Sequence, residues 1–351
     1  MTEQKAELLC VGNAMVDLFT GTGGEIPASW GLSKQAQHLT HSEIAKILAA
    51  LPPPLVTSGG GAANAAKIAC FLGISTAFVG SVGFDGDPYA AVFEEGLTGA
   101  GVIPCLIRDS SPTGVCLVLK TGGDAQVIAA CPGAALRLAA EDVPEDRIRE
   151  ARAVILDGFL LGRDALIHRV LDLANRWGTP VALDVGSPYL AASRAGEIAR
   201  YCREYPLIVF MNEEEADAFC RTFSNGAEGD GVPDTGSQRR IKVDADLLKK
   251  MTAKDIFPII VVKRGKRGAT VFAGGRVYPA PAIAVNPAEA TGAGDAFCAG
   301  FMAGWLRGKP LAECAAVGNK TAREVLDGPG AGVDRKKLAH LTGSLQFAVN
   351  P

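Results

Sequence analysis

From about residue 60 onward, short apolar runs alternate with stretches whose apolar residues recur at helical spacing. The runs are Ala77–Gly80, Ala153–Asp157, Pro180–Asp184, Leu207–Phe210 and Pro258–Lys263, with Leu8–Val11 before them and Ala269–Phe272 after. Helical patterns cover residues 63–72, 164–177 and 193–204. This alternation predicts βαβ units and an α/β fold, a mostly parallel sheet covered by helices. Asp157, Asp184 and Asn212 close their strands with polar side chains, at the carboxyl edge where such sheets bind ligands.

Two stretches break the rhythm. Residues 18–56 hold turn formers and the Pro52-Pro53-Pro54 run, without a buried-strand pattern. Residues 113–131 alternate as a hairpin does, with strands at Gly114–Lys120 and Gln126–Ala130 about a Thr121–Asp124 turn. Together they predict a small β-rich lid, 18–56 and 105–131, over a core made of 1–17, 57–104 and 132–351. A lid keeps water from a transferring group; an ordinary edge hairpin is the alternative. Residues 224–244, rich in Gly, Asp, Asn and Arg, read as a long exposed loop.

Composition narrows the class. The 351 residues suffice for one large α/β domain or two ordinary ones, and 48% hydrophobic with 21% charged residues is globular usage with a sizeable core. A net charge of −3 argues against a partner that is nucleic acid or a membrane surface. The nine cysteines are odd in number and lack C-x-x-C spacing, which reads as free thiols of a reducing cytoplasm. The polar start, Met1–Glu7, runs straight into the Leu8 strand with no signal peptide or spanning segment, so a cytoplasmic location is expected. Four scattered histidines show no metal spacing, and no G-x-S-x-G elbow is present.

The chemistry gathers at a few places. Thr291-Gly292-Ala293-Gly294-Asp295 is a glycine-rich turn feeding a run of helix formers, 296–303. Free backbone N–H groups and the helix dipole favour a phosphoryl group there, and Asp295 can accept the proton of an attacking hydroxyl. Phosphoryl transfer to an alcohol is the reaction class this proposes. A second cluster, Ser58-Gly59-Gly60-Gly61-Ala62-Ala63-Asn64, lets a ligand approach the backbone, with Asn64 able to donate to and accept from a hydroxyl. A helix cap with tight packing explains it as well. A dinucleotide fingerprint does not, because Asn64 holds the third glycine position and Asp85 is followed by glycine.

Val11–Leu18 reads as a strand ending in an acid, Asp17, whose carboxylate can hold two vicinal hydroxyls; a turn or cap is the alternative. Asn212 and Glu215 share one face of a first helical turn, fit either to hold hydrated Mg2+ or to cap the helix. The basic turn Lys263-Arg264-Gly265-Lys266-Arg267-Gly268 either lines a nucleotide site or is a solvated hairpin.

Taken together, these motifs resemble the ribokinase-like (PfkB) family of carbohydrate and nucleoside kinases across almost the whole chain. Gly59–Asn64 is similar to that family's amino-terminal signature and Ala290–Phe297 to its carboxyl-terminal one, with Val79–Asp87, Asn212 with Glu215, and Gly265–Gly268 between. The resemblance implies a three-layer α/β/α fold with a β-rich lid, and a kinase dependent on ATP and Mg2+ that phosphorylates a primary hydroxyl of a sugar or ribonucleoside. It implies Asp295 as general base and Gly292, Ala293 and Gly294 as the anion hole. It implies Asn13, Asp17, Gly59, Gly60 and Asn64 around the acceptor, and Lys263, Gly265, Gly268 and Asn319 around the nucleotide. Asn212 and Glu215 would organise Mg2+ through water.

The adenosine-kinase-like branch is nearest, from the four-residue spacing of Asn13 and Asp17, the long 19–58 segment and Gly318–Ala322. An adenosine kinase, and a catalytically silent sugar- or nucleoside-binding protein of the same fold, stand as alternatives. Glu289-Ala290-Thr291 departs from the family's acid-Thr-Thr, which bears on a monovalent cation site. Lid hairpins of the family sometimes pair, so monomer and homodimer are both open.

Overall fold

The computed structural model describes residues 5–24, 26–32, 37–121, 126–224, 241–253, 258–283, 292–326 and 335–345. Nine strands form the large sheet: β1 Leu8–Val11, β5 Thr76–Val82, β6 Ile103–Arg108, β9 Ala153–Asp157, β10 Val181–Asp184, β11 Leu207–Asn212, β12 Ile259–Lys263, β13 Ala269–Ala273 and β14 Arg276–Ala280. A smaller sheet holds β2 Met15–Gly21, β3 Gln37–His38, β4 Leu55–Gly59, β7 Gly114–Lys120 and β8 Gln126–Cys131.

The large sheet has the order β14-β13-β12-β11-β10-β9-β1-β5-β6. It is parallel from β6 to β12 and turns antiparallel only at β13 and β14. Its strands are apolar on both faces because both faces are covered; all four residues of β1 are fully buried. Alternate residues feed two separate cores. Leu8, Cys10, Ile155, Ile208 and Val261 pack with the helices Gly61–Phe71 (α2, following α1 His41–Leu48), Pro88–Ala100 (α3), Ala293–Leu306 and Leu311–Leu326. Leu9, Val11, Val154, Val209 and Ile260 pack on the other side with Asp164–Trp177, Ala195–Glu204 and Glu213–Ser224. This is the three-layer α/β/α arrangement, with the smaller sheet beside it.

Chain direction changes sides at β1, which lies between β9 and β5. A crevice forms at the carboxyl ends of strands where the order reverses in this way. The smaller sheet, ordered β3-β8-β7-β2-β4, is reached from these ends through short links, Gly12–Ala14 after β1 and Asp109–Thr113 after β6.

Several expectations need correction. Val11–Leu18 is not one strand, since β1 ends at Val11 and Asp17 sits in the middle of β2. The chain leaves the large sheet at Gly12, a closely packed point where a Cβ would lie 2.6 Å from Ala62 Cβ and 2.9 Å from Asp157 Cβ. The sheets divide the chain elsewhere than at 18, 57 and 105. Residues 15–17 and 57–59 belong to the smaller sheet, and Cys105–Arg108 pair with Val79–Val82 as the edge of the large one.

The 18–56 segment is not only β. Thr40 and Glu43 form a capping box for α1, whose Ile44 and Ile47 are buried. Residues 193–204 are not one helix either, because Pro188–Ser193 and Ala195–Glu204 meet at Arg194. Most of the turn expected at 121–124, most of the loop at 224–244 and the Glu289-Ala290-Thr291 segment lie outside the described residues.

Candidate active site

Two helices start at the mouth of the crevice. On the first, Gly60 is the N-cap of α2 with φ of 92°, and a Cβ there would fall on the Asn13 carbonyl oxygen. Gly59 ends β4, and a Cβ on it would fall inside the Asp17 carboxylate. Only glycine at these two positions lets the strand end pass so close to Asn13 and Asp17. Asp17 is buried, and burial pushes its carboxyl up to about 6 while Lys67 pulls it down. Asn13 is anchored by its backbone N–H on Asp157 Oδ2 at 3.3 Å, and its own side-chain oxygen is buried without a hydrogen-bond donor.

On the second, Gly292 caps the Ala293–Leu306 helix with φ of 80°. The first intrahelical donor is Ala296, bonded to the Gly292 carbonyl at 2.9 Å. The N–H groups of Ala293, Gly294 and Asp295 therefore have no carbonyl of this helix to bond, and the dipole adds positive charge beside them.

Asn64 joins the two helix starts by donating from Nδ2 to Asp295 Oδ2 at 3.0 Å, while its Oδ1 is buried and unpartnered. Burial pushes the Asp295 carboxyl up to about 7. The Asn64 hydrogen bond and Lys263 pull it down, and Asp184 and Asp157 push it up. A carboxyl tuned near neutrality suits proton transfer.

The remaining expected residues border a cleft of about 610 Å³, lined by Asn212, Lys263, Gly265, Gly268, Gly294 and Asn319 among others. Lys263, Gly265, Gly268 and Asn319, the residues expected around a nucleotide, thus share one space with Ala293 and Gly294 of the helix start. Lys263, at the end of β12, donates from Nζ to Asp184 Oδ1 at 2.8 Å and Oδ2 at 3.1 Å. Burial alone would lower its pKa, but the carboxylates of Asp184 and Glu215 hold it raised and charged. A Cβ on Gly294 would lie 3.4 Å from that ammonium, so the cation stands next to the helix start.

Other members carry structural duties. Asn319 donates to the carbonyls of Ala280 at 3.0 Å and Pro281 at 3.1 Å, and a Cβ on Gly268 would fall on the Ala280 carbonyl oxygen. The basic turn is less positive than its sequence, because Arg264 and Arg267 both pair with Glu213, the former at 3.1 Å.

Asn212 and Glu215 are closely paired. Asn212 donates from Nδ2 to Glu215 Oε1 at 2.7 Å and from its backbone N to Oε2 at 2.8 Å, and Glu215 N donates to Asn212 Oδ1 at 2.8 Å. Burial lifts the Glu215 carboxyl to about 7. With both carboxylate oxygens and the amide oxygen engaged, this pair suits the water shell of Mg2+ better than direct ligation. Among the described residues no group of three or more His, Cys, Asp or Glu could hold a bare metal ion.

Sequence reasoning missed Lys67, whose ammonium acts on Asp17 and Asp295, and it missed Asp184 as the counter-ion of Lys263. Asp184 had a visible signal as a strand-end acid. Lys67 had none beyond its place three residues after Asn64.

The comparisons with known proteins agree with this geometry. The pfkB family carbohydrate kinase profile matches residues 30–338. An uncharacterized sugar kinase of Archaeoglobus fulgidus is 27% identical over 74% of this chain and 94% of its own length. The adenosine kinase of Saccharomyces cerevisiae is 25% identical over 95% of this chain and 99% of its own. The structure of the adenosine kinase from Sinorhizobium meliloti superposes with a TM-score of 0.81 at 22% identity, covering 98% of this chain and 100% of that one. Among the described residues no helix is long and apolar enough to cross a membrane.

Proposed function

Since the chain belongs to the pfkB family of carbohydrate kinases and is thereby a phosphotransferase acting on a hydroxyl group, we propose that it moves the γ-phosphoryl of ATP to a primary hydroxyl of a polyhydroxyl acceptor. One observation carries the acceptor side. Two buried amide oxygens, Asn13 Oδ1 and Asn64 Oδ1, lack donors in the same mouth as the Asp17 and Asp295 carboxylates. Buried acceptors without donors are costly, and a ligand bearing several hydroxyls satisfies them.

In this reading the acceptor lies against Asn13, Asp17, Gly59, Gly60 and Asn64. Asp295 takes the proton of its reacting hydroxyl as the oxygen bonds to the γ-phosphorus and the bond to ADP breaks. The backbone N–H groups at Gly292, Ala293 and Gly294, with Lys263 beside them, face the charge that develops on the phosphoryl oxygens. ATP occupies the 610 Å³ cleft, with its base toward Gly265, Gly268 and Asn319. Mg2+, held through water by Asn212 and Glu215, supplies neutralisation of the phosphates when bound. The smaller sheet closes over the acceptor and excludes water.

A ribonucleoside is the acceptor one feature favours. Phe159, two residues after Asp157, donates its backbone N–H to Asp157 Oδ1 at 3.0 Å, and its ring lies over Gly186 with most of its surface exposed at the same strand ends. An exposed aromatic face next to a polyol site suits a stacked base. ATP consumption with adenosine, cytidine, ribose and fructose tests both levels. Turnover with nucleosides well above free sugars supports the ribonucleoside. Turnover with sugars alone overturns it, and binding without turnover on any of the four supports the silent binding protein instead.

A further inference from the structure

Lys67 lies one helical turn beyond Asn64 on α2, and no step above uses it. Its ammonium donates to the Ser58 carbonyl at 2.6 Å and to Ser58 Oγ at 3.0 Å. Ser58 sits on β4 opposite Val16 of β2, with Thr57 opposite Asp17. The following residue, Gly59, is the one whose missing Cβ makes room for the Asp17 carboxylate. On the α3 side, a Cβ on Gly96 would fall on Ser58 Oγ, so α3 closes tightly over the same residue. The amine and α3 together grip the segment against which Asp17 rests.

We propose that Lys67 is a positioning residue for the acceptor: it pins Ser58–Gly59 against Asp17 and supplies the fixed positive charge that keeps the Asp17 carboxylate ionised to receive hydroxyls. The inference rests on the acceptor role given to Asp17 above. The charges facing Lys67 are consistent with it. Asp17 comes from β2 with the Cys116 thiol of β7 near it, Asp295 from the Ala293–Leu306 helix, and Glu95 from α3. Burial pushes the Lys67 amine down to about 8, and the two aspartates hold it up. It is charged at neutral pH and loses that charge as pH rises through about 8.

The amine is also reachable. It lines a cavity of about 260 Å³ between α2, α3 and β4, with Thr57, Ser58, Phe71, Glu95 and Gly96. A small alkylammonium ion fits such a volume, which makes chemical rescue a usable readout.

The test compares Lys67→Met, Lys67→Arg and Lys67→Ala with the parent on whichever panel acceptor the parent uses best. Lys67→Met is expected to raise the acceptor KM roughly 10- to 100-fold, as for loss of charged hydrogen bonds. The ATP KM and kcat stay within about 3-fold, the mark of lost acceptor binding. Lys67→Arg keeps most of the affinity. Ethylammonium lowers the acceptor KM of Lys67→Ala and leaves the parent unchanged, which a merely structural role would not produce.

A second arm needs no acceptor. A carbon-13 titration of the Asp17 carboxyl, identified by its loss in Asp17→Asn, moves from about 6 in the parent to a higher midpoint in Lys67→Met. Lys67→Ala should raise the midpoint in the same way and serves if Lys67→Met does not fold, while Lys67→Arg, which keeps the charge, leaves it in place. An Asp17 midpoint unmoved in Lys67→Met or Lys67→Ala, or KM losses equal for acceptor and ATP, overturns the proposal. A parent inert on every acceptor refutes the kinase reading, while the titration still decides the role of Lys67.

Discussion

The Gly59 and Gly292 turns look alike in sequence, each a glycine cluster opening a helix, but the structure uses them in opposite ways. At Gly59 and Gly60 the missing side chains are filled by the protein itself, the Asp17 carboxylate and the Asn13 carbonyl. At Gly294 the space stays nearly free, with the Lys263 ammonium 3.4 Å from an added Cβ. One turn brings a carboxylate to the backbone, and the other leaves helix-start N–H groups without a helix carbonyl and a cation next to them. The first is suited to hydroxyls and the second to phosphate oxygens. A glycine-rich helix start is therefore one local geometry, and its chemistry is set by whatever the fold places opposite it.

The largest expected break in the comparison is at the link between the two turns. Asp295→Asn should lower kcat by at least ~10²-fold, the usual scale of general-base removal. In the parent, kcat/KM should fall as pH drops through about 7, because Asp295 takes up a proton there and can no longer accept one. The stability effect has the opposite sign. Burial raises this carboxyl above its ordinary value, so the folded state favours the protonated form and loses stability as pH rises toward 7. Asp295→Asn should accordingly melt no lower than the parent at pH 8, and by scanning calorimetry a rise of about 1–3 °C is expected. A variant with parental turnover would remove the base assignment.

Substituting the two glycines sharpens the contrast. Gly59→Ala must displace Asp17, since the new Cβ has no other space, and should raise the acceptor KM by roughly tenfold or more with ATP KM unchanged. Gly294→Ala meets only an ordinary contact and should change kcat or ATP KM by no more than about 3-fold, leaving acceptor KM alone. Steady-state kinetics with both substrates varied reads the two side by side. If both substitutions alter the same parameter, the division into acceptor side and phosphate side is wrong.

Between these in size lies Glu215→Gln. It replaces one of the two oxygens that accept from Asn212 by a donor, and should raise the Mg2+ concentration for half-maximal rate by roughly tenfold. An unchanged Mg2+ dependence would detach this pair from the metal.

Much of the scaffold was legible. Apolar runs such as Ala153–Asp157 and Pro258–Lys263 lie where the strands do, because strands buried on both faces must be apolar throughout. The Asp164–Trp177 helix begins and ends at the residues its pattern marked, closed by Gly178 in the left-handed conformation. The limits of the smaller sheet were not legible. Whether Cys105–Arg108 pairs with β5 or joins the hairpin depends on a partner about 25 residues earlier, and the same apolar strand satisfies either. The helix α1 did have a signal, Thr40 with Glu43, inside a stretch dominated by turn formers.

The chain by itself determined its family, its layer order and the two helix starts, because periodicity and glycine spacing are local properties carried by neighbouring residues. Tertiary structure alone decided the charges of the site. Asp157, Asp184, Lys263 and Lys67 stand on separate elements, and only folding brings them close enough to act on Asp17 and Asp295, with Glu215 acting in turn on Lys263. Coulomb interaction and desolvation depend on distance and burial in space, neither of which is written in sequence separation.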